Sequence, residues 1–177
     1  MFLNPKEIHS LVCGGKEMEG RRPMRIYLMQ HARPVPKEED PRQPLSRQGV
    51  GDAEKVGNRL AAAGVRLETI LHSPKERAKE TARIVWEKLG SEGRLQERED
   101  LAPLADPGSV LADLEAATGE CLVVGHLPHL GRLATRLLTA GLRDEPSLIR
   151  FRQGAVLCLV REAEGWQVAW MLAPELA

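Results

Sequence analysis

The sequence predicts an α/β fold: a three-layer α/β/α sandwich with a mostly parallel central sheet and a C-terminal antiparallel hairpin. Short apolar runs at residues 26–29, 68–73 and 121–124 alternate with longer segments of three- and four-residue apolar spacing, the rhythm of strands and helices taking turns. Each run breaks into a polar cluster at its carboxyl end. Near the tail, two apolar runs at 154–161 and 166–172 flank a turn around Glu164-Gly165, which predicts the hairpin.

At 177 residues, with 42% hydrophobic and 28% charged residues, the chain fits one domain with a sizeable core. Its 25 basic and 25 acidic residues cancel, so no overall field favours nucleic acid or an anionic membrane. Phosphate recognition, if present, must come from a local cluster. No apolar run approaches the roughly 18 residues of a membrane span. Cys13, Cys121 and Cys158 are odd in number and far apart, forming neither a zinc spacing nor a disulfide framework, which points to a reducing cytoplasm. Cys121 and Cys158 read as small core residues.

Residues 1–23 differ from the rest of the chain. They mix Gly14-Gly15, scattered charges and a short apolar patch at 8–12, too short for a secretory leader. The expectation is an extension lying on the domain or partly mobile, with translation starting at Met1, Met18 or Met24, and a single domain over 24–177.

The first strand ends in Gln30-His31-Ala32-Arg33-Pro34, where Pro34 and Pro36 forbid regular continuation. Residues 34–45 form a polar loop, either simply solvated or a lip that supplies Arg33 or Arg42 to an anion. Ser46 is a good N-cap for a helix to about Ala63, with Val50, Ala53, Val56, Leu60 and Ala63 on one apolar stripe and Gly64 as its stop.

After the second strand, Pro74 sits in the first turn of a helix reaching about Leu89, with Ala78, Ala82, Val85 and Leu89 inward. Arg77 also falls in that first turn. A cation there opposes the helix dipole, so it is either an exposed arginine without a partner or a ligand for an anion held at the helix start. Residues 90–100 are polar with a short strand near 95–97, and 107–117 read as a helix. The strand at 121–124 ends in Gly125-His126-Leu127-Pro128-His129 and leads into a helix through about Ala140.

In a parallel sheet, strand-to-helix junctions share one edge, so His31, Arg77 and His126 can converge although they are distant in sequence. Two imidazoles and a guanidinium at a helix N-terminus make a site for a tetrahedral dianion. His129 either faces the same cleft or opens the helix. His72 reads as packed at a strand end, and His9 has no assignable role.

These residues resemble the histidine phosphatase superfamily, of the phosphoglycerate mutase-like fold. Gln30-His31-Ala32 is similar to its Arg-His-Gly motif. Residues 73–82, Ser-Pro-Lys-Glu-Arg-Ala-Lys-Glu-Thr-Ala, are similar to its Ser-Pro-x-x-Arg-Ala-x-x-Thr-Ala element, and Gly125-His126 to its second histidine. Pro44-Leu45-Ser46-x-x-Gly49, Gly125-His126-Leu127-Pro128 and the short length resemble the phosphohistidine phosphatase branch. The resemblance covers about residues 24–172.

The resemblance implies a phosphatase without metal or other cofactor, with His31 as nucleophile forming a phosphohistidine that water cleaves. It implies that Arg77 and His126 bind the transferring phosphoryl group, with Gln30 at the position of the motif's first arginine; Arg33 and Arg42, read from the loop rather than from the resemblance, are the further phosphate-binding candidates. A histidine of ordinary pKa near 6.5 offers a neutral ring nitrogen at pH 7. Two residues depart from the pattern. Gln30 replaces an arginine, exchanging a charged hydrogen bond of about 1.5–3 kcal/mol for a neutral one of about 1 kcal/mol, a deficit of about one to two decades unless Arg33 or Arg42 compensates. Ala32 replaces a glycine.

No general acid is evident; Glu38, Glu39 and Asp40 are candidates by proximity alone. An imidazole leaving group needs less proton help than an alkoxide. The expected substrate is therefore a phosphohistidine-bearing protein, such as a phosphotransfer domain, with no nucleic-acid or membrane partner. The alternatives are a phosphomonoesterase acting on a small phosphate ester and a weakly active or non-catalytic phosphate-binding regulator.

Overall fold

The computed structural model describes residues 23–90, 92–143 and 145–177; the expectations for residues 1–22 lie outside this range. Six strands form one sheet in the order β3-β2-β4-β1-β5-β6. Strand β1 (Arg25–Gln30) lies inside it, parallel to β4 (Cys121–Gly125), which is parallel to β2 (Thr69–His72), itself parallel to β3 (Arg94–Glu97). On the other side of β1, β5 (Val156–Glu162) and β6 (Gly165–Leu172) add antiparallel, making the expected hairpin.

The period of two along a strand assigns its side chains to two cores. Ile26 and Leu28 pack on one face with Val123, Leu157 and the inward residues of helices α3 (Gly108–Ala116) and α4 (His129–Leu138). Tyr27 and Met29 pack on the other with Val124 and the inward residues of α1 (Arg47–Ala62) and α2 (Glu76–Leu89). This is the three-layer sandwich. A fully buried Leu, Ile or Val contributes roughly 1.5–3 kcal/mol relative to exposure, and both faces of β1 are lined with such residues.

Local details depart from the expected pattern in two helices. Ser46 caps α1, accepting from Gly49 N–H at 3.1 Å, but Val50 is 38% exposed. The inward stripe is instead Gly49, Ala53, Val56, Gly57 and Leu60. Gly49 is there because a Cβ would stand 2.0 Å from the Arg33 carbonyl oxygen, so only glycine lets α1 lie against the loop after β1. In α2 the helix starts at Glu76 with Lys75 as cap, so Pro74 precedes the first turn rather than sitting in it. Gly90 closes that helix with a left-handed φ of 56°.

Cys121 and Cys158 are buried free thiols, and burial pushes both up to about 12, so they serve as packing. Among the described residues, no helix is long and apolar enough to cross a membrane.

Candidate active site

Three adjacent parallel strands, β2, β4 and β1, end side by side and each delivers one part of the site. The main-chain N–H of His31 donates to the Gly125 carbonyl at 3.0 Å, tying the ends of β1 and β4 together. The His31 and His126 rings consequently lie 4.9 Å apart, tilted by 53°. From the end of β2, the Ser73-Pro74-Lys75 turn opens α2 and brings Arg77 alongside: its Nε–H donates to His31 Nε2 at 3.2 Å. The sequence-predicted trio of His31, Arg77 and His126 is thus one cluster.

His31 Nδ1 lies 2.8 Å from the Ala32 carbonyl. A carbonyl only accepts, so Nδ1 carries the ring proton and Nε2 keeps its lone pair, facing Arg77. The ring is 6% exposed. Burial lowers its pKa to about 4; the Ala32 carbonyl opposes the shift and the Arg77 charge adds to it. The imidazole is therefore neutral at pH 7, with one nitrogen available as a base or nucleophile. His126, 2% exposed, is pushed down to about 3, first by burial and then by the neighbouring His31, Arg77 and Lys75. Its Nε2 lies 2.8 Å from Ser73 Oγ, and its Nδ1 is buried with no partner.

Four residues that sequence reasoning gave no role complete the frame. The loop after β1 returns on itself through a Pro34–Leu45 bridge, and Gln43, at a left-handed φ of 52°, accepts from Arg77 Nη1 at 3.3 Å. Glu80 accepts from the Leu45 N–H at 2.5 Å, holding that loop against α2. Thr81 Oγ1 accepts from the Ala32 N–H at 3.0 Å and donates to the Arg77 carbonyl at 2.6 Å, so one hydroxyl links the segments that carry His31 and Arg77. Ser73, fully buried, is the partner of His126. Ser73, Glu80 and Thr81 stand inside the second motif, where local sequence marks them without saying what they touch. Gln43 has no local signal, because its role comes from a loop folding back.

The other predicted residues fall elsewhere. Gln30 pairs with Gly125 at the end of β1, and its Oε1 is buried without a partner. Arg33 donates to Gln48 at 3.0 Å, and Arg42 pairs with Asp40 at 3.0 Å with 81% of its side chain exposed. Neither guanidinium reaches the His31–His126 pair in these contacts. The hydrogen bonds from Arg42 hold the Asp40 carboxyl below the usual range, so that carboxylate is ionised and ill suited to donate a proton. Glu38 and Glu39 are exposed. His72 is buried, its Nδ1 3.0 Å from the Ser73 carbonyl. His129 is the buried first residue of α4, and burial lowers its pKa against the pull of Asp100.

Two neutral imidazoles and one guanidinium beside a helix start can bind a tetrahedral oxyanion and offer it a nitrogen lone pair. Known proteins resemble this chain in sequence and in fold. The model of the histidine phosphatase superfamily (branch 1) matches residues 26–103, which include His31 and Arg77. Phosphohistidine phosphatase SixA of Escherichia coli (strain K12) is 31% identical over 119 residues, 64% of this chain and 74% of that protein. The structure of the protein histidine phosphatase SixA complexed with tungstate superposes with a TM-score of 0.74 at 25% identity, covering 85% of this chain and 97% of that one. A putative alpha-ribazole-5'-P phosphatase from Escherichia coli str. K-12 substr. MG1655 shares the fold, with a TM-score of 0.68 at 20% identity over 86% and 97% of the two chains. The chain belongs to the histidine phosphatase superfamily, and its activity class is that of a phosphatase.

Proposed function

We propose that this chain removes phosphate from protein phosphohistidine, without a metal ion, through a covalent phosphohistidine on His31. The observation that carries the reading is the state of His31: its Nδ1–H is fixed on the Ala32 carbonyl and its Nε2 lone pair lies beside Arg77. The likeness to phosphohistidine phosphatase SixA supports the choice of substrate.

In the first step the Nε2 lone pair attacks phosphorus. The bond from phosphorus to the substrate's imidazole nitrogen breaks, and its electron pair stays with that nitrogen, which takes a proton from water. In the second step a water oxygen attacks phosphorus, the phosphorus–Nε2 bond breaks, and the pair returns to His31. The water's proton goes to solvent as inorganic phosphate leaves. Arg77 turns its N–H groups from Nε2 onto the phosphoryl oxygens, which frees the lone pair and offsets charge gathering on the equatorial oxygens. His126 and the Gln30 amide bind the remaining oxygens. An imidazole leaving group needs little proton help, which suits a loop whose Asp40 carboxylate is held ionised by Arg42.

Turnover of a phosphohistidine protein, measured beside a panel of sugar and nucleotide phosphates, tests the reading. Release of phosphate from the protein at the higher kcat/KM supports it. Hydrolysis of the esters alone would make the chain a small-molecule phosphomonoesterase. No turnover of either would make it a phosphate-binding regulator, the outcome the neutral Gln30 favours.

A further inference from the structure

We infer that Ser73 is a positioning residue that fixes the tautomer of His126, donating its hydroxyl proton to Nε2 so that Nδ1–H becomes the phosphoryl-binding donor. Ser73 Oγ has two neighbours within hydrogen-bond reach: His126 Nε2 at 2.8 Å and the Lys75 main-chain N–H at 3.4 Å. An amide N–H only donates, so Oγ accepts from Lys75 and its own proton has one acceptor left, the ring nitrogen of His126. If instead Nε2 carried the proton and donated to Oγ, two buried groups would be stranded: the hydroxyl hydrogen and the lone pair on Nδ1. With the proton on Nδ1, one group is unmatched, the Nδ1–H itself. Ser73 is fully buried, so water does not relieve either count.

The remaining unmatched donor has a use. The His126 ring lies 4.9 Å from the His31 ring, whose Nε2 takes the hydrogen bond from Arg77. A bare lone pair at Nδ1 would repel a phosphoryl oxygen, whereas an N–H there completes its own hydrogen bonding when the anion arrives. Both site histidines thus carry their proton on Nδ1, one fixed by a carbonyl acceptor and the other by a hydroxyl donor, and play opposite parts. His31 presents a lone pair and His126 presents a hydrogen. Because the hydroxyl sits just before the helix that carries Arg77, the same turn sets the direction of the guanidinium and the protonation of the second imidazole.

The inference rests on the proposed role of His126, but its first readout is independent of any substrate. Nitrogen-15 spectra of the full chain, with the His126 signals assigned by their loss in His126→Gln, report which ring nitrogen is protonated near pH 7. The expected result is a protonated Nδ1 and a hydrogen-bonded, unprotonated Nε2. In Ser73→Ala that preference collapses to a mixture, and kcat falls about tenfold, the equivalent of one neutral hydrogen bond, with little change in KM. A wild-type spectrum with the proton on Nε2 would overturn the inference even if Ser73→Ala failed to fold. So would a Ser73→Ala spectrum with the wild-type tautomer. Loss of turnover on every substrate with the expected tautomers would count against the proposed function and leave the Ser73 assignment standing.

Discussion

Arg77 Nε donates to His31 Nε2 at 3.2 Å, so the guanidinium of the free protein rests on the lone pair that the proposed phosphoryl transfer uses. The contact is a hydrogen bond between a cation and a neutral base, and in the proposed reaction it is exchanged for contacts to phosphoryl oxygens. Gln43 holds the other side of the guanidinium.

Removing either partner has distinct consequences. His31→Ala abolishes turnover, because no other group in the cluster replaces the lone pair. Arg77→Ala lowers kcat by about 10²–10³-fold, the cost of one well-placed donor to a developing oxyanion. Arg77→Lys recovers little, since a single ammonium cannot reach both His31 and Gln43. Steady-state rates decide this, and near-normal turnover in either alanine variant would remove that residue from the chemistry.

Stability should depend on pH through the two site histidines. His31 and His126 are held at about 4 and about 3 in the folded protein, against about 6.5 unfolded. Between those values the unfolded chain binds more protons, so stability rises with pH. Their contribution is whole above about pH 6.5 and is lost as pH falls through the window below it. Thermal melts at pH 7.5 and pH 5.0 should show a lower Tm at the acid end, with a smaller difference in His126→Gln. Imidazole titrations should show both rings neutral down to pH 5.

Thr81→Val keeps shape but removes the hydroxyl that serves Ala32 and Arg77. The Ala32 N–H is then left unpaired beside a fully buried side chain, costing about 1–3 kcal/mol. For a domain of this size that lowers Tm by about 5 °C. Turnover falls as well, because the links to both the His31 and Arg77 segments are cut. An unchanged Tm would show that the hydroxyl carries no net hydrogen bond.

Gly49→Ala places a methyl group against the Arg33 carbonyl, where α1 meets the loop after β1. Overpacking of this kind costs about 1–3 kcal/mol. The loop carrying Gln43 shifts with it, so a drop in Tm should be accompanied by weaker binding of phosphate measured by calorimetry.

Gln30→Arg restores a charged donor at the end of β1. It should tighten the binding of inorganic phosphate or tungstate by about tenfold, the difference between a charged and a neutral hydrogen bond. Weaker binding would show that the amide, with its buried Oε1, is fitted to a different group.

Much of this architecture was legible in the chain. Strand-forming runs ending in His31 and His126, and a helix start carrying Arg77, specify a parallel sheet whose junctions share an edge. What local pattern did not carry are the effects of close approach. Val50 fits an apolar spacing yet is exposed, because Gly49 and Gly57 are the residues α1 turns inward. Arg33 and Arg42 lie near His31 in sequence, but each meets a closer partner, Gln48 and Asp40, before it can reach the site. Gln43 enters through a left-handed residue in a returning loop, and Ser73 through a hydroxyl whose partner is 53 residues away. Contacts of that separation are written in the fold.

The most direct measurement is to mix the wild-type protein rapidly with a labelled phosphoprotein or small phosphodonor and quench in alkali. The expected result is label on His31, stable to alkali and released by acid, that forms and decays at rates matching turnover and is absent in His31→Ala. Turnover without a labelled intermediate, or label on a residue other than His31, would contradict it.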